Sequence, residues 1–308
     1  MENSKVYIII LQYNNWLDTI ECLHSISTIL YDDYNIVIVD NNSSNDSLAK
    51  LKQWLVDNKE KSIKLNETVL IENIVNNGYA GGNNLGIKYI IEKNDYDYVW
   101  ILNNDTVVDK LALYHLVKIA SQNKQIGICG SKILYYDRRD TIQSIGSKVN
   151  YTFGYVSNIS DPTKVETIDS VMGASFFITN KCISTVGFLP EEYFLFLEES
   201  DYCIMAVKYG FKIKVALDSI VFHKEGCSTG GSSDYRNRSE SADLLSFRSR
   251  IIFGRKYVKS MFGLYAGLLV SVILRIKRGQ IQRAVKFLDI MMKSIIKPDD
   301  FIKTNVID

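Results

Sequence analysis

The amino-acid sequence predicts an α/β protein, in which a Rossmann-like, mostly parallel sheet is flanked by helices and followed by a C-terminal helical extension. Three observations lead to this fold class. Short apolar runs rich in Val, Ile and Tyr alternate with helix-like stretches through the first half of the chain. Clusters of Asn, Asp, Gly and Ser separate these segments. From residue 246 onward, amphipathic stretches rich in Lys and Arg replace the alternation.

Four apolar runs are predicted to be strands buried on both faces of the sheet. They lie at 6–11, 36–39, 69–74 and 98–102, and the helices predicted after them lie at 16–30, 47–58, 84–93 and 110–122. Further along, residues 202–209 are predicted to form a helix and residues 212–222 a strand. Ligands of such sheets bind beyond the carboxyl ends of the strands, so the residues that follow each strand are the first candidates for a site.

The composition is that of a folded cytoplasmic protein. Of the 308 residues, 46% are hydrophobic and 23% charged, which is enough to bury a full core and excludes a disordered chain. The five cysteines are scattered and include no Cys-x-x-Cys pair, which argues against a disulfide framework and against a zinc site. The apolar run that begins at Val6 is too short for a secretion signal.

Positive charge is concentrated near the C-terminus. The net charge is +1, yet residues 246–297 contain twelve Lys and Arg against one acidic residue, so the rest of the chain is acidic. The uncharged run at 260–274 is shorter than the roughly 20 residues of a spanning helix. Amphipathic helices of this kind favour peripheral binding to the anionic inner face of the cell membrane. The alternative is packing on the preceding α/β domain or on a second subunit, as a homodimer; no reader motif favours nucleic acid.

Polar side chains follow three of the predicted strands. They are Gln12, Tyr13 and Asn14 after the first strand, Asp40 and Asn42 after the second, and Asn103, Asn104 and Asp105 after the fourth. A single cluster of this kind could simply form turns or helix caps. Three clusters at one edge of a sheet favour a ligand site instead.

Asp105 is the candidate metal ligand of this edge. A carboxylate at the end of a buried strand suits Mg²⁺, which takes oxygen ligands and completes its shell with water and substrate phosphates. His223 follows the strand predicted at 212–222 and is the second candidate ligand, although a half-exposed structural imidazole is the simpler alternative. We therefore expect a divalent cation between these two residues.

Residues 77–84 form a glycine-rich loop that opens a predicted helix. Its backbone N–H groups could approach an anionic or sugar ligand, and Gly78 and Asn83 are the candidate contacts. The loop matches neither Gly-x-Gly-x-x-Gly nor the phosphate-binding loop with its Lys, so hydride transfer and phosphoryl transfer by a kinase lose their main support.

Three carboxylates, Glu198, Glu199 and Asp201, follow the apolar run 194–197. Carboxylates this close together and partly removed from water should raise each other's pKa, as a general base requires. The alternative is an acidic first turn that stabilises the helix dipole, and both roles are compatible within one cluster.

These motifs together resemble glycosyltransferase family 2, which has the GT-A fold, and especially its bacterial rhamnosyltransferase-like branch. They are QYNN at 12–15, VDNNSSNDS at 39–47, NNGYAGGNNLG at 76–86, WILNNDT at 100–106, GASFF at 173–177, FLEESDYC at 196–203 and FHKEG at 222–226. Each motif is weak alone, but their order and spacing over about the first 230 residues are specific.

The resemblance implies roles for individual residues. Asp40 would bind the nucleotide, residues 103–105 stand at the Asp-x-Asp metal motif of the family, and His223 would join the metal or the diphosphate. Gly173 and Ala174 would begin the acceptor wall, with Glu198 beside them. Glu199 stands at the position of the base, and Asp201 is the alternative. The sequence departs from the family twice, with Asn where the metal motif usually starts with Asp and Glu where the base is usually Asp.

The resemblance also implies the function. The expected activity is inverting, metal-dependent sugar transfer, with Mg²⁺ or Mn²⁺, from a dTDP- or UDP-linked sugar such as rhamnose. The acceptor would be a glycan or an undecaprenyl-diphosphate-linked glycan in bacterial surface polysaccharide synthesis. The alternatives are a nucleotidyltransferase, for which a Gly-rich signature with Lys or Arg is missing after the first strand, and an inactive glycan-binding or scaffold protein.

Two regions are expected on this basis. Residues 1–245 would form the catalytic domain, with a nucleotide-sugar half at about 1–110 and an acceptor half at about 111–245. Residues 246–308 would form the basic, amphipathic helical region.

Overall fold

A mixed nine-stranded sheet forms the centre of the protein in the computed structural model, which describes residues 4–61, 64, 67–224, 226 and 238–303. The strands are β1 (Val6–Gln12), β2 (Tyr34–Asp40), β3 (Val69–Glu72), β4 (Tyr98–Asn103), β5 (Thr106–Val108), β6 (Ile126–Tyr135), β7 (Ile142–Ser144), β8 (Gly146–Asn150), β9 (Tyr155–Ile159), β10 (Ser175–Thr179) and β11 (Lys212–His223). The helices are α1 (Trp16–Ile26), α2 (Ser47–Asn58), α3 (Gly78–Lys93), α4 (Ala112–Ala120), α5 (Asn180–Val186), α6 (Glu198–Lys208), α7 (Glu240–Tyr257), α8 (Met261–Lys277), α9 (Ile281–Ile296) and α10 (Pro298–Lys303). Short 3₁₀ helices lie at Lys59–Lys61 and Pro162–Thr167.

The strand order is β3-β2-β1-β4-β10-β6-β11-β5, with β7 paired to β6, while β8 and β9 form a separate hairpin. Strands β1 to β4 are parallel, as the sequence predicts, and β11 is parallel to β6. Strand β10 runs antiparallel to both β4 and β6. The start of β10 therefore meets the carboxyl end of β4, and residues from both halves of the chain share one edge of the sheet.

Apolar side chains cover both faces of the central strands, because strands β1 and β4 are buried along their length. Ile8 and Trp100 lie in one core layer, beneath α1 and α4, and Ile9 and Ile101 lie in the other, beneath α3 and α6. The indole N–H of Trp100 donates to Ser175 Oγ (2.9 Å), which satisfies the polar group of a fully buried ring. Three of the predicted strand runs, those of β1, β2 and β4, are thus the two-sided core of the sheet. The remaining run, at 69–74, is not buried on both faces: β3 is the edge strand, ends at Glu72 and is only half-buried.

Two helices begin earlier than the sequence predicts. Helix α3 starts at Gly78 and not at residue 84, so the predicted loop at 77–84 is its N-cap and first two turns. Two of its glycines face the sheet: a Cβ on Gly82 would come within 2.4 Å of Leu11, and one on Gly86 would lie 3.0 Å from Ile9. Helix α6 starts at Glu198 and not at residue 202, because Leu197 in the left-handed region (φ 73°) forms its cap. Helix α1 ends at Ile26, four residues before the predicted end.

Helices α7 to α10 form the predicted C-terminal extension and pack around a core of their own. Phe247 and Phe287 stack with ring centroids 3.9 Å apart, and Leu264 is fully buried beside them. The same core contains Tyr193 and Ile204, so the helices are packed on the catalytic body. Helix α7 runs across position 245, where the sequence suggests a boundary. Within the described residues, no helix has both the length and the apolar character needed to cross a bilayer.

Candidate active site

The carboxyl ends of β1 and β2 are joined by hydrogen bonds between predicted site residues. The side chain of Gln12 donates from Nε2 to Asp40 Oδ1 (3.1 Å), and both residues are fully buried. Asp40 also accepts from the backbone N–H (2.9 Å) and the hydroxyl (2.6 Å) of Ser43. The Asn14 N–H donates to Ser43 Oγ (2.9 Å). Asp40 therefore organises the loop after β2 and joins it to the loop after β1.

Backbone conformation shapes the same edge. Asn14 (φ 57°) and Asn42 (φ 61°) both occupy the left-handed region, which Asn tolerates better than most residues. The Asn14 side chain accepts from Ser44 N (2.7 Å) and donates to Ser44 Oγ (3.0 Å), whereas Asn42 is exposed and Tyr13 is half-exposed. Tyr13 and Asn42 thus remain accessible beside a hydrogen-bonded frame.

Asn41 belongs to the polar cluster after the second predicted strand, but the sequence did not single it out as a site residue. Its side chain is 2% exposed and donates to Asn76 Oδ1 (2.8 Å) and to the Gly78 carbonyl (3.0 Å). Its Oδ1 accepts from Asn73 Nδ2 (2.9 Å). These bonds attach the segment before α3 to the end of β2. Asn41 stands between two predicted residues, Asp40 and Asn42, and this position was the signal in the sequence.

The first turn of α3 closes against the segment before α6. Gly78 (φ 71°) is in the left-handed region, and a Cβ at this position would lie 2.0 Å from the Phe194 carbonyl oxygen. The Tyr79 N–H donates to that oxygen (2.8 Å). Asn83 is fully buried inside the helix and donates to the Tyr79 carbonyl (2.9 Å). Gly78 is thus required by close packing, and Asn83 lies beneath the predicted site.

At the end of β4, the three predicted residues have different surroundings. The Asn103 N–H donates to the Ala174 carbonyl (3.1 Å). The Asn104 side chain turns back and donates to the Asn15 carbonyl (3.2 Å) and to Thr19 Oγ1 (3.1 Å). Asn104 therefore holds the start of α1 against β4, and Asp105, 5% exposed, is the residue that faces His223.

Asp105 and His223 lie side by side, as the sequence predicts. His223 Nε2 is 3.3 Å from Asp105 Oδ1, and both side chains are about one-twentieth exposed. His223 Nδ1 lies 2.9 Å from Gln143 Oε1. An imidazole that donates through Nδ1 presents the Nε2 lone pair to the carboxylate, an arrangement that a cation between the two atoms stabilises. Gln143 lies on the short strand β7, and nothing around it in the sequence indicates this contact.

The pair offers one carboxylate oxygen and one imidazole nitrogen. No group of three or more His, Cys, Asp or Glu side chains that could hold a metal ion occurs in the described part of the chain. Mg²⁺ and Mn²⁺ sites that bind nucleotides often take one or two protein ligands and complete the shell with phosphate and water. The donor set therefore fits such a cation in the presence of a diphosphate.

Lys224 anchors the strand end that carries His223. The backbone N–H of Lys224 donates to the Asp105 carbonyl (3.0 Å), and its ammonium group pairs with Asp18 and Glu21 on α1. The Tyr136 hydroxyl donates to Glu21 (2.6 Å). These bonds fix the end of β11 beside the end of β4.

The residues predicted to face the acceptor lie at the start of β10. The Gly173 carbonyl accepts from the Tyr79 hydroxyl (2.7 Å), and a Cβ on Gly173 would lie 3.8 Å from Glu199 Cγ. Ala174, the next residue, is bonded to Asn103 at the end of β4. Gly173 and Ala174 thus bring Glu199 to the edge that carries Asp105, although the two acidic residues are far apart in the chain.

Glu198 and Glu199 begin α6 in different environments. Glu198 is 3% exposed, and its Oε2 has no hydrogen-bond partner among the described residues. Burial, followed by the charge of Glu199, raises the pKa of Glu198 well above its ordinary value. Glu199 is partly exposed, and burial raises its pKa to about 7 against the opposing effect of backbone hydrogen bonds. A carboxylate whose pKa is raised by burial suits a general base.

Asp201 points away from Glu199, toward helix α7. It is fully buried, and its Oδ2 accepts from the Tyr193 hydroxyl (2.7 Å) and from Lys256 Nζ (2.6 Å). The Tyr257 hydroxyl donates to Oδ1. Both carboxylate oxygens are thus engaged within the protein, so the geometry favours Glu199 over the alternative base Asp201.

Comparison with known proteins identifies the family of the chain. Residues 7–177 match the family model described as glycosyl transferase family 2. The low-salt glycan biosynthesis hexosyltransferase Agl10 of Haloferax volcanii is 25% identical over 67% of this chain, and the match spans 62% of that protein's length. The dTDP-rhamnosyl transferase RfbF of Shigella flexneri is 23% identical over 73% of this chain and 70% of its own length.

The fold is also that of solved glycosyltransferases. The mannosyltransferase PcManGT of Pyrobaculum calidifontis, in complex with GDP-Man and Mn²⁺, superimposes with a TM-score of 0.57 at 13% identity, over 97% of this chain and 82% of that chain. At this identity the likeness concerns the fold, and it confirms the GT-A fold that the sequence predicts.

Proposed function

The chain belongs to glycosyl transferase family 2 and is a glycosyltransferase, and we propose that it transfers a hexose from a nucleoside diphosphate to an acceptor hydroxyl with inversion. The observation that carries the proposal is the placement of Glu199, with its raised pKa, beside Gly173 at the edge that holds Asp105 and His223. A dTDP-linked sugar such as rhamnose, or a UDP-linked sugar, is the proposed donor, in keeping with the dTDP-rhamnosyl relative.

The nucleotide of the donor would lie across the ends of β1 and β2. Two side chains, those of Tyr13 and Asn42, are accessible there, and the backbone at Gly78 lies nearby. Asp40 and Asn14 hold the loops that carry Tyr13 and Asn42. Gln12 is fully buried and would support this surface by donating to Asp40 (3.1 Å). Asn83 and Asn104 bind their own chain and support this surface from behind.

Asp105 and His223 would hold Mg²⁺ or Mn²⁺, with Asn103 beside them. A cation bound there supplies charge neutralisation for the diphosphate leaving group. Gln143 fixes the orientation of the His223 ring, and Lys224 holds the end of β11 in place. The mannosyltransferase with the same fold was solved with Mn²⁺, which supports this proposal.

Glu199 would remove the proton from the acceptor hydroxyl. The acceptor oxygen forms a bond to the anomeric carbon while the bond from that carbon to the diphosphate oxygen breaks on the opposite face. The products are the inverted glycoside, the nucleoside diphosphate and a protonated Glu199, so one base suffices. Gly173, Ala174 and Glu198 would form the adjacent acceptor wall.

A donor screen tests the proposal. We expect dTDP-rhamnose or a UDP-hexose, and not GDP-mannose, to raise the melting temperature with Mn²⁺ present, by several degrees at saturating concentration. The same nucleotide sugar should release its nucleoside diphosphate when an acceptor is added. A nucleotidyltransferase would instead release pyrophosphate from a nucleoside triphosphate, and an inactive glycan-binding protein would release neither product. Either result would overturn the proposed reaction.

We also propose that α8 and α9 dock on an anionic membrane at the inner face of the cell, where a lipid-linked glycan acceptor would lie. Phe262 is 84% exposed and Val285 is 59% exposed, and other apolar side chains of the two helices are exposed as well. These are Met261, Leu269, Val270, Ile273, Leu274, Ile276, Ile281, Leu288, Met292, Ile295 and Ile296. Exposed Lys277, Arg278 and Lys297 supply the positive charge for anionic headgroups.

Vesicle flotation tests the docking. The protein should float with vesicles containing phosphatidylglycerol and remain in solution with phosphatidylcholine alone. Phe262→Asp with Val270→Asp should abolish flotation without unfolding the chain, because both side chains are exposed. Wild-type flotation by this variant would contradict the proposal, and a dimer lost in the variant would assign the surface to a second copy.

A further inference from the structure

The five residues before α6, 193–197, form a strained segment that leads directly into the two glutamates. Phe194 (φ 23°), Phe196 (φ 72°) and Leu197 (φ 73°) all have positive φ although each carries a Cβ. This region of backbone space is unfavourable for such residues, so surrounding contacts must hold the strained segment in place. Strain of this kind concentrates at functional sites.

Helix α7 supplies contacts to the strained segment. The Ser249 hydroxyl, on a residue that is 1% exposed, donates to the Leu195 carbonyl (2.7 Å). Arg248 Nη1 donates to the Glu192 carbonyl (3.0 Å), just before the segment. On the opposite side, the Tyr79 N–H of α3 donates to the Phe194 carbonyl (2.8 Å). The strained segment is therefore bound between α3 and α7.

The far end of α7 binds the first turn of α6. Lys256 pairs with Asp201 (2.6 Å), and the Tyr257 hydroxyl donates to the other oxygen of the same carboxylate. Tyr193, the first residue of the strained segment, donates to Asp201 as well (2.7 Å). The buried Asp201 carboxylate thus connects the segment, α6 and α7 two residues after Glu199.

We propose that α7 positions the base, with Ser249, Lys256 and Tyr257 as positioning residues that hold Glu199 against Gly173. The inference rests on the proposed function for the role of Glu199. Helix α7 lies outside residues 7–177, the part that matches the family. The C-terminal extension is on this basis a component of the active site and not only a docking region.

Energetics favours a positioning role for the pair of Lys256 and Asp201. The Asp201 carboxylate is fully buried while about a third of the Lys256 side chain stays exposed. The lost hydration of the carboxylate offsets much of the attraction, so such a pair adds little to stability compared with apolar packing. Its directed bonds instead define one geometry. Displacing a general base by about 1 Å lowers the reaction rate on the order of 100-fold. Fixing the first turn of α6 therefore preserves the rate.

Turnover of two mild variants tests the proposal. Ser249→Ala and Tyr257→Phe each remove one hydroxyl and leave no charge unpaired. We expect kcat to fall about 10- to 100-fold with the donor KM within about threefold, because the base moves while the donor half is untouched. Lys256→Arg should retain more turnover than Lys256→Met. The matched control is Ser294→Ala, whose fully buried hydroxyl donates to the Met291 carbonyl of its own helix (2.7 Å).

Amide hydrogen exchange tests the same contacts without any enzyme assay. Exchange across residues 193–199 should be about tenfold faster in Ser249→Ala than in wild type or Ser294→Ala. Faster exchange in Ser249→Ala than in wild type, together with no sugar transfer by the wild type, would leave the restraint by α7 standing and reject the proposed function. Unchanged exchange, or turnover within twofold of wild type in both hydroxyl variants, would overturn the positioning role.

Discussion

Replacing Glu199 by Gln should reduce sugar transfer by about 100- to 10,000-fold, the contribution of a positioned general base. The amide keeps the shape of the side chain but cannot take up the proton of the hydroxyl that attacks the sugar. Donor affinity should be unchanged, because the residues proposed to hold the nucleotide and the cation lie at the ends of β1, β2, β4 and β11. Single-turnover assays measure the loss, and calorimetry with donor and Mn²⁺ measures the affinity.

The pH dependence of the wild type provides an internal check. Burial raises the pKa of Glu199 to about 7, so the rate should fall as the pH drops below that value and the carboxylate takes up a proton. The titratable groups around it are Glu198, Tyr79 and Cys203, and burial raises the pKa of all three. Glu166→Gln, which changes an exposed carboxylate, is the matched control and should keep full activity. Normal turnover by Glu199→Gln would show that Glu199 is not the general base.

The fold followed from the sequence because two-sided burial leaves a clear local pattern. The runs at β1 and β4 contain almost no polar residue, and no other element accommodates such short apolar runs as well as a central strand. The polar residues after them then had to lie at one edge. Fold, family and enzyme class were accordingly confirmed, while the roles of the site residues remain predictions.

Helix starts were harder to predict, since distant contacts determine them. The glycines of residues 78–82 read as a loop, because glycine is a poor helix former. In the structure they allow α3 to approach Leu11 and the Phe194 carbonyl closely. Phe194 is more than a hundred positions away from Gly78 in the chain, and no local pattern reveals this contact.

The division of work within the acidic trio was likewise invisible in the sequence. Glu199 and Asp201 are two positions apart and chemically alike, yet one faces Gly173 and the other is bound by Lys256 and Tyr257. Only the packing of α7 distinguishes them. Gln143 is a parallel case, because its contact with His223 depends on how β7 pairs with β6.

Replacing Asp105 by Asn should remove the metal-dependent part of donor binding. In the wild type, we expect Mn²⁺ to tighten donor binding, and in Asp105→Asn the affinity with Mn²⁺ should fall about 100-fold, to the value that both proteins show with a chelator. The physical reason is that Asp105 supplies the carboxylate of the pair with His223. Calorimetric titration of donor, with and without Mn²⁺, measures the difference.

Two further variants separate the metal from the fold. Asp109→Asn changes a carboxylate whose Oδ1 accepts from the Leu111 N–H, and it should keep the metal response. Gln143→Leu removes the oxygen that accepts the hydrogen bond from His223 Nδ1. It should reduce the gain in donor affinity with Mn²⁺ by about 10- to 100-fold, as expected for a group that orients a metal ligand. Full metal-dependent affinity in Asp105→Asn would make the contact with His223 an ordinary ion pair at a strand end. The charge of the leaving diphosphate would then have to be balanced by other groups of the chain.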